Sequence, residues 1–537
     1  MNDRYFIGID VGTGSARAGI FNQDGALLAN ASRDIELFRE GSTIVEQSSD
    51  NIWSCICKSV REALSVAKVS KEQIKGIGFD ATCSLVVLDQ DTNPLSVSTT
   101  GNNERNIIVW MDHRATDQAE RINATQHRVL NYVGGKISPE METPKLLWLK
   151  ENMPDIFQSA GHFFDLTDYL TWRCTGDLAR SVCTVTCKWT FMAHENSWDK
   201  SYFDEVGLSD LAANSFARIG SRVVDPGTAL GQGLTEKAAM DLGLATGTPV
   251  AAGLIDAHAG GVGTVGAVGA SPSSRMAYVF GTSACTMSSS KKEAFVPGVW
   301  GPYYSAMVPG LWLSEGGQSA AGEAIAHLLK LHPAYLTFKQ EAEDKGHSLP
   351  NYLLMLIDER CETSSHVLQL AQQIVTVPEF LGNRAPFADP EARAVISGLD
   401  LNTDIESLIG LYVSGIVGLG YGLRQILDVQ TQNGVSPDTV VMSGGAGESP
   451  IVKQLLADAA NITIAGPGTK EPVLLGSAML GAVASGEHTS LISAMGAMST
   501  LGDIFHPTSG EVAEKHTARF KAFEALQKAA TLVRDIV

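Results

Sequence analysis

A glycine-rich turn near the amino terminus constrains the fold more than any other feature of the chain. Apolar runs of strand length at 5–9 and 18–21 flank the turn Asp10 to Gly14, which reads Asp-Val-Gly-Thr-Gly. A third apolar run at 27–31 follows a second turn, Asn22 to Gly25. Three short strands joined by tight turns predict an antiparallel meander rather than a strand-helix-strand opening.

The segments after the meander alternate between helix and strand. Residues 50–67 carry apolar side chains at helical spacing, and 74–79 and 85–88 are apolar runs of strand length. In the second half, 275–280 and 284–288 form another predicted strand pair around a Gly-Thr-Ser turn. The second half therefore opens with the same strand-turn-strand arrangement as the first, and we expect the halves to be distant structural duplicates.

The chain is too long for one hydrophobic core. At 537 residues it exceeds the usual size of a single domain. We predict an α/β protein with one domain over 1–265, another over 266–537, and a cleft between them. The segment 248–269, a strand followed by an Ala/Gly-rich helix, is expected to form the floor of that cleft. Arg519 to Val537 is predicted to be an amphipathic helix on the outside.

Charge and cysteine usage narrow the set of partners. The formal net charge is −19, and no Lys/Arg cluster is long enough to follow a nucleic-acid backbone. No uninterrupted apolar stretch is long enough to span a bilayer, so we expect a cytoplasmic protein with neither a nucleic-acid nor a membrane partner. The eight cysteines are expected to be reduced thiols. A homodimer remains open.

The glycine-rich turns are candidates for phosphate binding. Glycine lets phosphate approach backbone N–H groups because no Cβ intervenes. In the first turn, Gly12, Thr13 and Ser15 could supply amides and hydroxyls, and Asp10 could hold Mg²⁺ through water. An ordinary hairpin capped by Asp10 is the alternative. The glycine-rich turn of the second half, at Gly281 and Thr282, is weak evidence for phosphate binding by itself. Its value lies in repeating the turn at Asp10 to Gly14.

Asp256 is the candidate general base. It follows a predicted strand and opens a predicted helix, where the helix dipole favours an ionised carboxylate. Phosphoryl transfer to a hydroxyl needs a group that accepts the departing proton. The alternative is an aspartate that only caps the helix. His258, two residues later, is left without an assigned role.

A cluster around Trp110 is suited to polyol recognition. It combines the aromatic ring of Trp110 with the carboxylate of Asp112, and such rings and carboxylates bind the C–H faces and hydroxyls of sugars. The alternative is a solvated helix start with a buried tryptophan. Thr82, Cys83 and Ser84 lie at a turn between predicted strands and could add small polar groups to the same pocket.

In this order the motifs resemble the FGGY family of carbohydrate kinases along nearly the whole chain. Asp10 to Arg17 is similar to the family's first phosphate motif, Gly281 to Ser283 to its second, and Ser443 to Glu448 to its adenosine motif. The resemblance implies a pair of actin-like, ribonuclease-H-like domains with ATP and sugar in the cleft. It places Asp256 at the catalytic base. The expected ATP contacts are Gly12, Thr13, Ser15, Arg17, Gly281, Thr282, Gly317, Gly445 and Ser449.

The resemblance also suggests a substrate. Thr82 to Asp89 is similar to the signature of the D-ribulokinase branch, and Glu140 is expected to reach the sugar beside Trp110 and Asp112. We therefore expect D-ribulose as substrate, with L-ribulose or ribitol second, ATP as phosphate donor, and Mg²⁺ near Asp10 and Asp256. A nucleotide-switched binding protein of the actin/chaperone type and an inactive sugar sensor are the alternatives from other classes.

Overall fold

The protein contains two α/β halves that share one strand order. A computed structural model describes residues 4–102, 104–269, 271–361 and 363–537. The strands within these ranges are β1 Tyr5–Val11, β2 Ser15–Asn22, β3 Leu27–Asp34, β4 Phe38–Glu40, β5 Ile44–Gln47, β6 Ile74–Ala81, β7 Leu85–Asp89, β8 Ile107–Ile108, β9 Ala160–Asp165, β10 Arg180–Ser181, β11 Val223–Val224, β12 Leu254–Ile255, β13 Arg275–Phe280, β14 Ala284–Ser290, β15 Trp300–Tyr304, β16 Trp312–Gln318, β17 Val375–Val377, β18 Val395–Ser397, β19 Thr439–Ser443, β20 Thr463–Pro467 and β21 Leu501–Phe505.

Helices cover the faces of these sheets. The α-helices are α1 Ser49–Ala67, α2 Thr116–Ala124, α3 Glu142–Asn152, α4 Pro154–Ser159, α5 Leu166–Thr175, α6 Val182–Trp189, α7 Lys200–Glu205, α8 Glu236–Leu242, α9 Asp256–Val265, α10 Gly322–Lys330, α11 Tyr335–Asp344, α12 Leu349–Arg360, α13 Ile405–Gln432, α14 Pro450–Ala460, α15 Pro472–Ala484, α16 Leu491–Met498 and α17 Glu511–Ile536. Short 3-10 helices lie at Lys71–Gln73, Arg128–Val133, Ser209–Ala212, Pro272–Ser274, Ser364–Ala371 and Gly445–Gly447.

The first sheet has the order β12-β6-β1-β2-β3. β1, β2 and β3 pair antiparallel, while β6 runs parallel to β1 and β12 runs parallel to β6. The predicted meander is confirmed. Parallel pairing brings the carboxyl ends of β1, β6 and β12 to one edge of the sheet.

The second sheet repeats this arrangement. Its order is β15-β16-β14-β13-β19-β20-β21, in which β13 pairs antiparallel with β14 and parallel with β19. The central β16-β14-β13-β19-β20 segment therefore matches the strand order of the first sheet. The predicted duplication of the halves is confirmed.

A further sheet of the first half has the order β4-β5-β8-β7-β9. The strand predicted at 85–88 exists as β7, and it pairs with β8 and β9 rather than extending the first sheet. The chain leaves β6 through Thr82 to Ser84 and enters this second layer. That step places Thr82 to Ser84 at the same edge as the first glycine-rich turn.

Helix α15, from the second half of the sequence, packs on the first sheet. A Cβ placed on Gly8 would lie 1.9 Å from the carbonyl oxygen of Leu474, and one on Gly78 would lie 1.9 Å from that of Ser477. Only glycine permits this approach of helix to strand backbone. The domain division at 265 stays a prediction. Helix α15 follows this division in the sequence but packs on the sheet of the first half.

Helix α13 is the only helix in the described ranges that is long and apolar enough to cross a bilayer. Of its most apolar window, 78% is buried inside the protein. It packs against α10 and α14, so its apolar character is that of a core helix. The predicted carboxy-terminal helix is present as α17, which begins at Glu511 and buries Phe520 and Phe523 against the second half.

Candidate active site

Three carboxylates meet where the parallel strands of the first sheet end. Asp10 on β1 is the register partner of Asp80 on β6, Leu254 on β12 also pairs with Asp80, and Asp256 follows β12. Asp80 was not predicted as a site residue. The signal that could have identified Asp80 is its place near the end of a buried apolar strand, β6, which pairs with the strand that carries Asp10.

Asp10 is held by an arginine. Arg17 Nε donates to Asp10 Oδ2 at 2.8 Å, and Arg17 Nη1 donates to Glu471 Oε2 at 2.8 Å. Arg17 thus orients Asp10 and links it to the residue before α15. The predicted contact of Arg17 with ATP stays a prediction, and one third of its side chain is exposed.

Asp80 is fully buried and joins the two halves. Its Oδ2 accepts a hydrogen bond of 2.5 Å from the hydroxyl of Ser477 on α15. Burial, followed by the negative charge of Asp10, raises the pKa of Asp80 well above its usual value. Burial therefore favours the protonated form of the Asp80 carboxyl.

Asp256 is the first residue of α9, and Ile255 is the helix N-cap. Its Oδ1 accepts a 2.7 Å hydrogen bond from the N–H of Ala257. Burial, followed by the charge of Asp10, raises the pKa of Asp256 to about 6. Asp256 is therefore not the N-cap of α9, and its pKa suits a base that works near neutral pH.

The first glycine-rich turn faces open space. The N–H of Gly12 donates to the carbonyl oxygen of Ser15 at 3.0 Å, and a Cβ on Gly14 would meet no atom within 4 Å. Thr13 Oγ1 accepts a 3.0 Å hydrogen bond from the indole N–H of Trp110. The structure therefore brings the predicted phosphate turn and the predicted sugar-binding tryptophan into contact.

The segment Thr82 to Ser84 lies beside the first glycine-rich turn and Trp110. The N–H of Thr82 donates to the carbonyl oxygen of Val11 at 2.9 Å, and the hydroxyls of Thr82 and Ser84 lie 3.2 Å apart. Ser84 Oγ accepts from the N–H of Trp110 at 3.2 Å. Burial raises the pKa of Cys83 to about 12, so its thiol stays protonated.

The predicted direct contact of Asp112 with sugar is wrong. Its side chain is fully buried, Oδ2 accepts from the N–H of Val45 at 2.7 Å, and Oδ1 accepts from the N–H of Arg114 at 2.9 Å. The Arg114 guanidinium bridges both oxygens and also binds Glu46. A carboxylate with this set of partners has no free oxygen for a ligand. Asp112 instead braces the loop that carries Trp110.

Glu140 lies at a more open position. Its carboxylate is 3.4 Å from His113 Nε2, and its side chain is 24% exposed. Its carbonyl oxygen accepts from Lys145 Nζ at 2.9 Å, which anchors the backbone of this segment. The predicted contact of Glu140 with sugar stays a prediction.

Two charged side chains near His258 and Asp256, Lys188 and Glu315, were not predicted as site residues: Lys188 acts on the charge of Asp256, and Glu315 contacts His258. Lys188 on α6 lies 5.7 Å from the ring centre of Trp300 on β15, and its charge lowers the pKa of Asp256 and Glu315 against the effect of their burial. Glu315, on β16, is nearly buried, and its Oε2 lies 3.5 Å from His258 Nε2. Although burial opposes ionisation, His258 lowers the pKa of Glu315 to about 2. These residues are far apart in the sequence, and the packing of α6, α9 and β16 brings them together.

The second glycine-rich turn lies at the edge of the second sheet. The carbonyl oxygen of Gly281 accepts from the N–H of Gly322, and that of Thr282 accepts from Ala321, both at 2.9 Å. The start of α10 therefore braces this turn. Thr282 is exposed and is free to meet a ligand.

The predicted adenosine motif, which follows β19, lies beside the turn at Gly281 because β13 and β19 are neighbouring parallel strands. A Cβ on Gly445 would meet no atom within 4 Å, and Ser449 Oγ caps α14 by accepting from the N–H of Val452. Gly317 differs, since it lies buried within β16, where a Cβ would lie 2.1 Å from the carbonyl oxygen of Ala284. Sheet packing accounts for this glycine, and the structure does not bring Gly317 to the surface of the cleft.

The site fits a triphosphate with a hydrated cation better than a metal held by protein alone. Among the described residues, no group of three or more His, Cys, Asp or Glu side chains could hold an ion. Mg²⁺ in kinases usually keeps several waters and binds through one or two carboxylates together with substrate phosphates. The open face of Gly14 leaves room for such phosphates, and Asp10 and Asp256 are the carboxylates at hand.

Comparison with known proteins agrees with this geometry. The family model described as the N-terminal domain of the FGGY family of carbohydrate kinases matches residues 5–263, and the model of the C-terminal domain matches 276–485. The chain belongs to this family, and it is a carbohydrate kinase, a phosphotransferase with two α/β domains.

Individual relatives refine the comparison. A human FGGY carbohydrate kinase domain-containing protein is 44% identical over 94% of this chain and 93% of its own length. A D-ribulokinase of Saccharomyces cerevisiae is 39% identical over 90% of this chain and 72% of its own length. Among solved structures, a xyloylose kinase from Brucella ovis superimposes with a TM-score of 0.82 at 19% identity, covering 99% of this chain and all of the other, which supports the fold alone.

Proposed function

We propose that the protein transfers the γ-phosphoryl group of ATP to the terminal hydroxyl of D-ribulose, giving D-ribulose 5-phosphate and ADP. The observation that carries the proposal is Asp256, whose carboxylate follows β12 where the parallel strands of the first sheet end, close enough to Asp10 and Lys188 for their charges to act on its pKa. Identity of 39% to a protein named D-ribulokinase supports D-ribulose as the pentulose. L-ribulose and ribitol are the second candidates.

In the proposed reaction Asp256 accepts the proton of the terminal sugar hydroxyl as its oxygen attacks the γ-phosphorus. The pKa of Asp256, about 6, keeps the carboxylate mostly ionised at neutral pH and still lets it take a proton. Lys188 and Glu315 are suited to bind sugar hydroxyls as donor and acceptor. Trp110 covers an apolar face of the sugar and fixes its position relative to the phosphate turn.

The two glycine-rich turns hold the transferring group. Backbone amides around Thr13 and Thr282 stabilise the phosphoryl oxygens, and Gly445 and Ser449 follow the nucleoside. Mg²⁺, near Asp10 and Asp256, would neutralise charge on the phosphates. We place the enzyme in the cytoplasm, an assignment that the eight free cysteines support, because cytosolic proteins rarely carry disulfides.

A substrate panel tests the proposal. ADP release is measured with D-ribulose, L-ribulose, D-xylulose, ribitol and glycerol, and the product of the best substrate is identified by mass and by the position of its phosphate. We expect the highest kcat/KM with D-ribulose and a phosphate at carbon 5. Preference for another sugar would move the assignment within the family, and sugar-independent ATP hydrolysis would favour a nucleotide-switched protein.

A further inference from the structure

A buried chain of contacts links Glu315 to the backbone segment that precedes Asp256. Cys183 Sγ lies 3.0 Å from His258 Nδ1, and His258 Nε2 lies 3.5 Å from Glu315 Oε2. Cys183 is fully buried and the side chain of His258 is 1% exposed. The ring of His258 therefore bridges α6 in the first half and β16 in the second.

The same cysteine also holds the strand that leads to Asp256. Its sulfur accepts a 3.3 Å hydrogen bond from the N–H of Ile255, the residue before Asp256. At the base of α6, Ser181 Oγ donates to the carbonyl oxygen of Gly253 at 2.7 Å. Helix α6 is thus fastened to the last residues before α9 at two points.

We propose that His258 and Cys183 are positioning residues: Cys183 fixes the segment that carries Asp256, and His258 fixes Glu315 against it. Neither residue needs to touch the sugar or ATP, because both side chains are buried and act through the positions of Asp256 and Glu315. A catalytic group is held in productive geometry when a second layer of contacts locks its side chain. The inference rests on the proposed function, in which Asp256 and Glu315 meet the sugar.

The linkage has two arms with different kinetic consequences. The His258 to Glu315 arm orients a group that binds sugar, so its loss weakens sugar binding. The Cys183 to Ile255 arm orients the base, so its loss slows the chemical step. Loss of a residue that only stabilised the fold would change kcat and KM together or leave both unchanged. It would also affect KM for the sugar and KM for ATP alike.

Two substitutions at His258 separate its contacts. The amide of His258→Gln reaches the position of Nε2 and can still bind Glu315, whereas the shorter His258→Asn reaches only the position of Nδ1. We expect His258→Asn to raise KM for D-ribulose about tenfold. We expect His258→Gln to stay within about threefold of the parent, and both to keep KM for ATP within about twofold. Equal effects of the two variants, or equal effects on both substrates, would overturn this arm.

Two substitutions at Cys183 test the contact between Cys183 and Ile255. This test does not require that the His258 variants fold. Serine keeps an acceptor for the Ile255 N–H and alanine does not. We expect Cys183→Ala to lower kcat about tenfold with little change in KM for D-ribulose, and Cys183→Ser to recover most of the loss. The same kcat in both variants would refute the role of Cys183. If the parent enzyme phosphorylates another sugar of the panel, the ratios are measured with that sugar, so failure of the substrate assignment is distinguishable from failure of this inference.

Discussion

The indole N–H of Trp110 donates a 3.0 Å hydrogen bond to Oγ1 of Thr13, joining the residue proposed to cover the sugar to the turn proposed to hold phosphate. This hydrogen bond fixes the position of the indole ring relative to the turn. Ser84 holds the backbone of the same residue, because its hydroxyl accepts a hydrogen bond from the N–H of Trp110.

The first prediction concerns this contact. Trp110→Phe keeps a ring but removes the donor, and Thr13→Val removes the acceptor. Each should lower kcat/KM for D-ribulose roughly tenfold, because a small misplacement of reacting groups is costly. The double variant should lose little more than either single one, since both remove the same contact. Steady-state kinetics of the four proteins forms the cycle, and fully additive losses would show that the contact is not functional.

A second prediction concerns the raised pKa of Asp80. Because the folded-state pKa of Asp80 is raised above its unfolded value, its stabilising contribution is complete below the unfolded pKa and is lost as pH rises. Asp80→Asn removes that loss, so its free energy of unfolding should exceed the parent's increasingly as pH rises from 5 to 8. Asp80→Ala should instead be less stable by about 1–3 kcal/mol because the hydroxyl of Ser477 loses its buried partner. Denaturant unfolding at a series of pH values checks both, and Asn and Ala variants of equal stability would contradict the assignment.

The third prediction is a pH profile of activity. Asp256 must be ionised to accept the sugar proton, so kcat/KM should rise as pH increases through about 6, the pKa of this carboxyl. Lys188→Met removes a positive charge that lowers this pKa, and should shift the rise to higher pH. Lys339→Met, at an exposed position on α11, serves as the control. Profiles that coincide in all three proteins would show that Asp256 is not the titrating group.

A fourth prediction follows from the packing of α15 on the first sheet. Gly8→Ala would press a methyl group against the carbonyl oxygen of Leu474, so we expect a loss of about 1–3 kcal/mol or a failure to fold. Gly14→Ala, where the added carbon meets no atom within 4 Å, should keep the parent stability. Thermal unfolding compares them, and equal melting temperatures would contradict this packing.

How much of this site the sequence predicts depends on how local the signal is. The turns at Asp10 and Gly281 and the strand-to-helix step at Asp256 are encoded by adjacent residues, and the structure has each of them at the expected place. Lys188 acts on Asp256, and Glu315 contacts His258, only through the packing of α6, α9 and β16, which no short motif reveals. Asp112 shows the opposite error, because a carboxylate suited to sugar is in fact fully used by Val45 and Arg114.

The larger fold follows the same rule. The meander predicts the start of each half, and repetition of the turn predicts their duplication. The crossing of α15 onto the first sheet depends on glycines at Gly8 and Gly78, whose close approach to a helix becomes evident only in three dimensions. Gly317 shows the converse, because a glycine taken for a nucleotide contact is required by the neighbouring strand.

The central claim is that Asp256 is the base for phosphoryl transfer to a sugar. The most direct measurement compares the parent with Asp256→Asn in D-ribulose-dependent ADP formation, with thermal unfolding and sugar binding measured on the same samples. The account predicts a folded protein that binds D-ribulose but has lost turnover by a factor on the order of 10²–10⁴ or more. A variant that retains turnover close to the parent's would contradict the account.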